Sequence, residues 1–259
     1  MAEITTITPA DAESPIGRPI SPLEALAGTL MKPYATFNRV REAGRGHWWM
    51  VFALAFVSLV LINLAAVPIQ AKVQQAVLEQ QLAEMPVEQQ AQAAQMQAIL
   101  SSQAMLGAIG TATGAAGVVI GYALRALALF LLGLALGGRA SFRQVWQMAV
   151  WTTLPNVLRN VVSAVAIFVT RGLPAPGLSF MFTSAELAER SAAVKAVLRN
   201  LDIYTVWSLV LVAVGMIATS RVSRAKGALV ALVYWVLTLA VSAGLAAAGQ
   251  ALGNIFTGG

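Results

Sequence analysis

Apolar and polar residues follow one another along this chain in long blocks, not with the short period of a half-buried strand. Five blocks each hold the roughly 20 mostly apolar residues that a membrane-crossing helix needs: about 48–69, 106–137, 144–170, 203–220 and 228–250. The pattern predicts an all-α fold, a polytopic membrane helical bundle of five transmembrane helices with amphipathic helices outside the membrane. Residues 1–31 hold no such block and are expected to be a flexible tail ahead of a membrane domain at 32–252.

The junctions sharpen the picture. His47, Trp48 and Trp49 open the first block and suit the membrane interface, and Pro68 is expected to close it. The second is apolar from Ala104 to Gly138 apart from Arg125. That is about 50 Å of helix, so one long helix should project its first turns beyond the bilayer. The turn GGRASF follows, and the third block carries Pro155, an expected kink. Two stretches, 71–103 and 171–200, should be helical loops on the far side of the membrane. In the first, Val77, Leu78, Leu82 and Met85 fall at helical spacing, and Pro86 should divide it into two short helices. In the second, Thr183 and Glu186 form a capping-box pattern that should open one short helix running to about Asn200.

Composition agrees. Hydrophobic residues are 58% of the chain and charged ones 11%, against about 25% charged in ordinary soluble domains. With no cysteine and one histidine, disulfides and cysteine-based metal sites are excluded. No phosphate-cradling glycine loop, zinc-binding histidine pair or nucleophile elbow occurs, and Ser141 and Ser184 have no nearby base. No catalytic residue, cofactor or metal is therefore expected, and the chain is not read as an enzyme. The net charge of +6 does not point to nucleic acid, because the basic residues sit at the ends of the apolar blocks. Ten fall on the side of the N-terminus, including Arg139, Arg143, Arg221 and Arg224, and five on the other side with six acids. Charge asymmetry thus predicts a multi-pass protein of the cell (inner) membrane with a cytoplasmic N-terminus and an extracytoplasmic C-terminus. Anionic lipids at the cytoplasmic face are the expected partners.

Two features inside the blocks carry candidate chemistry. Gly107, Gly110, Gly114, Gly117 and Gly121 recur at spacings of three and four, which places them on one stripe of a helix. Small residues let helix backbones approach closely in lipid. The stripe should be a packing seam within the chain, a self-association seam with a second copy, or the lining of a water or ion path; other membrane proteins are further candidate partners of the chain. Gly133 and Gly137 form a further small-xxx-small step. The second feature is charge: Arg125 lies well inside the second block, and Thr152, Asn156, Arg159, Asn160 and Ser163 share a polar face of the third. A charge at mid-membrane costs about 2.5–3.5 kcal/mol on insertion scales, and Asp202, at the mouth of the fourth block, is the nearest acid. Three readings stay open: both arginines snorkel to headgroups, they satisfy carbonyls freed by Pro155 together with Asn156 and Asp202, or they hold an anionic ligand or lipid.

Three stretches resemble a known family. KPYATFNRV, with Pro33, Thr36 and Phe37, is similar to the entry segment of the Yip family, the Ypt/Rab-interacting membrane proteins, in its bacterial branch. LGGRASFRQVW with TTLP, and LRNLDIYTVWSLVLVAVGMIATSRVSRAKGALV with Asp202, Trp207, Gly215 and the basic turn Arg221 to Lys226, resemble its central and most specific elements. The resemblance, over roughly 32–250, implies a five-span helical domain with a cytoplasmic N-terminus and supplies little chemistry. The chain is read as a non-enzymatic, membrane-embedded interaction or organising module whose partner-facing part is the cytoplasmic tail with its segment near Pro33 to Arg45. The Asp-Leu-Tyr-Gly-Pro element of the eukaryotic relatives is absent, so their GTPase binding is not carried over. The rival reading is a component of a transporter or channel.

Overall fold

The structure, a computed structural model, describes residues 20–42, 47–84 and 102–257. The described residues are helical and contain no strand. The helices are α1 (Pro22–Met31), α2 (Pro33–Glu42), α3 (Trp48–Glu84), α4 (Gln103–Ala135), α5 (Phe142–Trp151), α6 (Leu154–Thr170), α7 (Ser184–Ala188), α8 (Ala192–Asn200), α9 (Ile203–Ser220) and α10 (Arg224–Thr257), with a 3₁₀ turn at Gly177–Met181. Five stretches are long and apolar enough to cross a membrane, as the block pattern predicts: Trp48–Val77, Gln103–Ala135, Phe142–Thr170, Ile203–Ser220 and Arg224–Gly249.

Helix α9 is the most buried of the spans and organises the rest. At its C-terminal half Val212 and Met216 join Leu129 of α4, Met148 and Trp151 of α5, and Phe37 of α2 in one core. Glycines allow the close approach. A Cβ on Gly133 would lie 2.7 Å from Met216 Cε, one on Gly215 2.6 Å from Met148 Cγ, and one on Gly227 2.8 Å from the Ala213 carbonyl oxygen. A second, smaller contact packs Ala65 and Ala66 of α3 on Ala164 and Ile167 of α6.

Several expectations need correction. Residues 22–31, expected in a flexible tail, form α1, capped by Ser21 and burying Ala25 and Thr29. They are ordered because Ile20 and Ala25 reach the same core as Phe37 and Val40 of α2. Within the 33–45 segment read as partner-facing, α2 buries Thr36, Phe37 and Val40 and keeps Tyr34 and Ala35 exposed, which is compatible with that reading; residues 43–45 lie outside the described residues. Pro68 does not end the first helix, which continues to Glu84. Proline's fixed φ is helical, and one missing N–H exposes less backbone to lipid than a break would. Pro86 and the second helix expected beyond it lie outside the described residues. The third span is two helices, broken at Thr152 and Thr153. The helix expected from the Thr183–Glu186 capping box, which is formed, ends at Ala188. Ser191 then caps a separate α8.

The glycine stripe holds only in its first half. Cβ atoms on Gly107, Gly110 and Gly114 would meet Val67, Asn63 and Leu59 of α3, but those on Gly117 and Gly121 would meet nothing within 4 Å. The edge-to-face pair of Phe52 and Tyr122, centroids 5.6 Å apart, fills the space between α3 and α4 beyond Gly114. Gly137, read as half of a packing step, is a turn residue instead: its φ is +82°, and the Gly138 N–H closes the end of α4 on the Gly133 carbonyl at 2.8 Å.

Basic residues at the α1–α2 end of the bundle tie down the carbonyls that helix ends leave orphaned. Arg41 donates to the Ala218 carbonyl of α9 at 2.9 Å, and Lys226 to the Leu136 carbonyl after α4 at 2.7 Å. The Arg41 side chain is 12% exposed, so Arg41→Ala is expected to lower stability by about 1.5–3 kcal/mol, the range for a hydrogen bond to a charged group. Arg39→Ala removes a pair with Glu24 that water reaches and should cost less than Arg41→Ala. Denaturant unfolding of the two variants in mild detergent checks the difference.

Candidate functional site

The break in the third span builds the site. Pro155 has no N–H, and the Asn156 N–H bonds to the Thr153 carbonyl at 2.8 Å instead of the one four residues back. The Thr152 carbonyl is thereby left open, and the Ser208 hydroxyl of α9 donates to it at 2.7 Å. That bond sets the Ser208 and Thr152 hydroxyls side by side. Arg125 of α4 donates through one Nη to both, at 2.9 Å to Thr152 Oγ1 and 3.0 Å to Ser208 Oγ. Its guanidinium lies 5.1 Å from the Tyr234 ring centroid of α10, a cation–π distance. Among the described residues no carboxylate pairs with it, and its Nε is buried without a hydrogen-bond partner. Arg125 thus turns into the protein and does not snorkel, and the carbonyl freed at the kink is taken by Ser208, not by an arginine.

Arg159 behaves differently. Two turns beyond the kink it reaches Asp202, the acid at the mouth of the fourth span, at 3.1 Å. Asp202 is also the N-cap of α9, accepting from the Thr205 N–H at 2.6 Å. Burial raises the Asp202 pKa, but the Thr205 N–H and the Arg159 guanidinium outweigh it and hold the carboxyl below its ordinary value.

Two cavities flank this pair. The inner one, about 220 Å³, has Arg125, Asn156, Arg159, Ser208 and Trp235 on its wall. The outer one, about 670 Å³, has Asn63, Arg159, Asn160, Ser163 and Asp202 on its wall and runs under the 173–177 turn. Arg159 and Asn200 line both. The polar face at 152–163 is therefore divided: Thr152 holds Arg125, Asn156 faces the inner cavity, and Asn160 faces the outer one while donating to Ser58 of α3 at 3.2 Å. Of the glycine stripe, Gly110 alone touches a wall residue of either cavity, with its Cβ position 3.2 Å from Asn63 Oδ1.

Sequence reasoning missed Ser208, Tyr234 and Trp235. Trp235 did carry a signal. It lies 11 residues into α10, about 16 Å from that helix's start, whereas membrane tryptophans concentrate at the two interfaces. Ser208 carried none, because a lone serine in an apolar helix is common.

Among the described residues no group of histidines, cysteines or carboxylates could hold a metal ion. The arrangement offers donors: guanidinium, indole N–H, amide and hydroxyl groups around a cavity with no acid on its wall. No curated protein and no solved structure matches the chain. A family model, the Yip1 domain, matches residues 27–245. That stretch takes in the second half of α1, α2, the first four spans and most of the fifth, with both cavities, and the chain belongs to the Yip family of membrane proteins.

Proposed function

We propose that this chain is a non-enzymatic, membrane-embedded organising module that works by binding an anionic group at Arg125. The observation that carries the reading is a partly buried guanidinium, its Nε buried without a partner, with two hydroxyl partners and no carboxylate among the described residues, on the wall of a cavity it shares with Arg159. The intramembrane cost of such a charge is offset when an anion joins it. The cytoplasmic N-terminus that charge counting favours is supported by the packing of α1 and α2 at the end of the bundle that also carries the 137–141 and 221–223 turns. A transport role is the second reading, favoured by the outer cavity, which offers an approach to the inner one.

Arg125→Met separates a binding role from a structural one. Thr152 and Ser208 keep their own acceptors, the Ala149 carbonyl at 2.7 Å and the Thr152 carbonyl at 2.7 Å, so the variant leaves no donor stranded. Exchanging a buried charge for an apolar chain of similar length is often neutral or stabilising. The expected result is an unchanged or higher melting temperature in detergent. The stabilisation that inorganic phosphate or short-chain phosphatidic acid gives the wild type should fall at least tenfold in apparent affinity. A variant that melts far lower yet keeps the ligand response would make Arg125 a structural residue and sink the proposal.

A further inference from the structure

Three of the four buried side-chain polar atoms that lack a hydrogen-bond partner among the described residues sit on residues of the two cavity walls. They are Arg125 Nε and Trp235 Nε1 on the inner cavity and Asn63 Nδ2 on the outer one. All three are N–H donors, and buried donors left unpaired are rare in folded proteins. What they lack is an acceptor. The inner cavity also carries the Arg159 guanidinium, yet no carboxylate lines it. Its roughly 220 Å³ has room for a compact oxyanion. The outer cavity is larger, adds Arg199 to Arg159, and shares Arg159 and Asn200 with the inner one, so an anion moving between them would pass these two residues.

One acid stands at that passage. Asp202 pairs with Arg159, and its side chain is 16% exposed against 38% for the arginine. Asp202 lines the outer cavity and Thr205, which it caps, lines the inner one. Resting on the reading that Arg125 binds an anionic group, we propose that the inner cavity is a site for a single phosphate-type oxyanion, and that Asp202 is its internal competitor. With the site empty, the Asp202 carboxylate holds Arg159. An entering phosphate takes Arg159 over, is completed by Arg125 and the Trp235 indole, and leaves Asp202 to its cap. Asp202 thus sets the affinity and blocks weaker anions.

The cap role gives a clean test, because asparagine caps a helix as well as aspartate does and has no charge to compete. Asp202→Asn is expected to keep the wild-type melting temperature and to bind inorganic phosphate at least tenfold more tightly, read by thermal shift and isothermal calorimetry on the full chain in detergent. Asp202→Ser, a second uncharged cap, should move affinity in the same direction even if its stability differs. Adding Arg125→Met to Asp202→Asn should abolish the gain. Short-chain phosphatidic acid is run beside inorganic phosphate. Tightening with both supports a free oxyanion, and tightening with the lipid alone supports a headgroup. An Asp202→Asn protein that binds equally or more weakly, while binding still needs Arg125, overturns the competitor and leaves the site standing. Wild-type binding that ignores Arg125→Met overturns both.

Discussion

Gly227→Ala is expected to destabilise the bundle by up to about 2 kcal/mol net, while Gly117→Ala and Gly121→Ala are expected to stabilise it by up to about 1 kcal/mol. The three substitutions add the same methyl group to the interior of a long helix. Relieved of glycine's helix penalty, each would gain roughly 0.8–1 kcal/mol from propensity alone. At Gly117 and Gly121 the new atom meets nothing within 4 Å, so the gain stands. At Gly227 it would lie 2.7 Å from Ile217 Cγ1 and 2.8 Å from the Ala213 carbonyl oxygen. A side chain can turn away, but a backbone carbonyl inside α9 moves only with its helix, so α9 and α10 must separate. Overpacking of that kind costs about 1–3 kcal/mol. Gly114 and Gly133 fall between, because the atoms in the way belong to the flexible ends of Leu59 and Met216. Denaturant titrations in detergent should rank Gly227 worst, then Gly133 and Gly114, with Gly117 and Gly121 above wild type. A uniform loss along the stripe would instead make all five stripe glycines part of one seam.

That ranking shows how far the chain could be read before its structure. Spacing of three and four places glycines on one stripe but does not say where a neighbouring helix leaves it. Phe52 and Tyr122 decide that, through a ring contact between residues 70 positions apart. The spans were legible because lipid imposes a length and a polarity on each one. The charged site was half legible. Arg125, Arg159 and Asp202 stand out because charge is expensive there, and Asp202 proved to be the acid that Arg159 reaches. The partners of Arg125 were hidden because they depend on the break at Thr152 and Thr153, where the Asn156 N–H turns to the Thr153 carbonyl, the Thr152 carbonyl is left open and Ser208 is recruited. The order of residues 20–31 was missed for a related reason. Seven of these twelve residues are hydrophobic and one is charged, but the block is too short to cross a membrane, and only its contact with Phe37 and Val40 makes it part of the core.

The largest local effect is expected at Gly177→Ala, on the turn that roofs the outer cavity. Gly177 has φ +58°, a conformation that costs a non-glycine residue about 1–2 kcal/mol. Its Cβ position also collides with the backbone oxygens at the end of α8, those of Leu198 and Arg199, the latter at 2.6 Å. Neither oxygen can rotate away, so strain and collision add to more than about 3 kcal/mol, and the 173–177 turn should lift from α8. Because the main core lies at the other end of α9, around Met216 and Phe37, the loss should stay local. Hydrogen exchange is expected to rise across 172–200 with the melting temperature nearly unchanged. Gly172→Ala is the matched control in the same loop, since its Cβ position is 3.9 Å from the nearest atom, Thr170 Oγ1; it should exchange like wild type. The roof also decides access to Arg159 and Asp202, both on the wall beneath it. Phosphate should therefore associate and dissociate faster in Gly177→Ala with little change in affinity, because the residues that hold it are untouched. Wild-type exchange in Gly177→Ala would mean that α8 does not clamp the turn, and a large loss of affinity would mean that the turn itself contacts the anion.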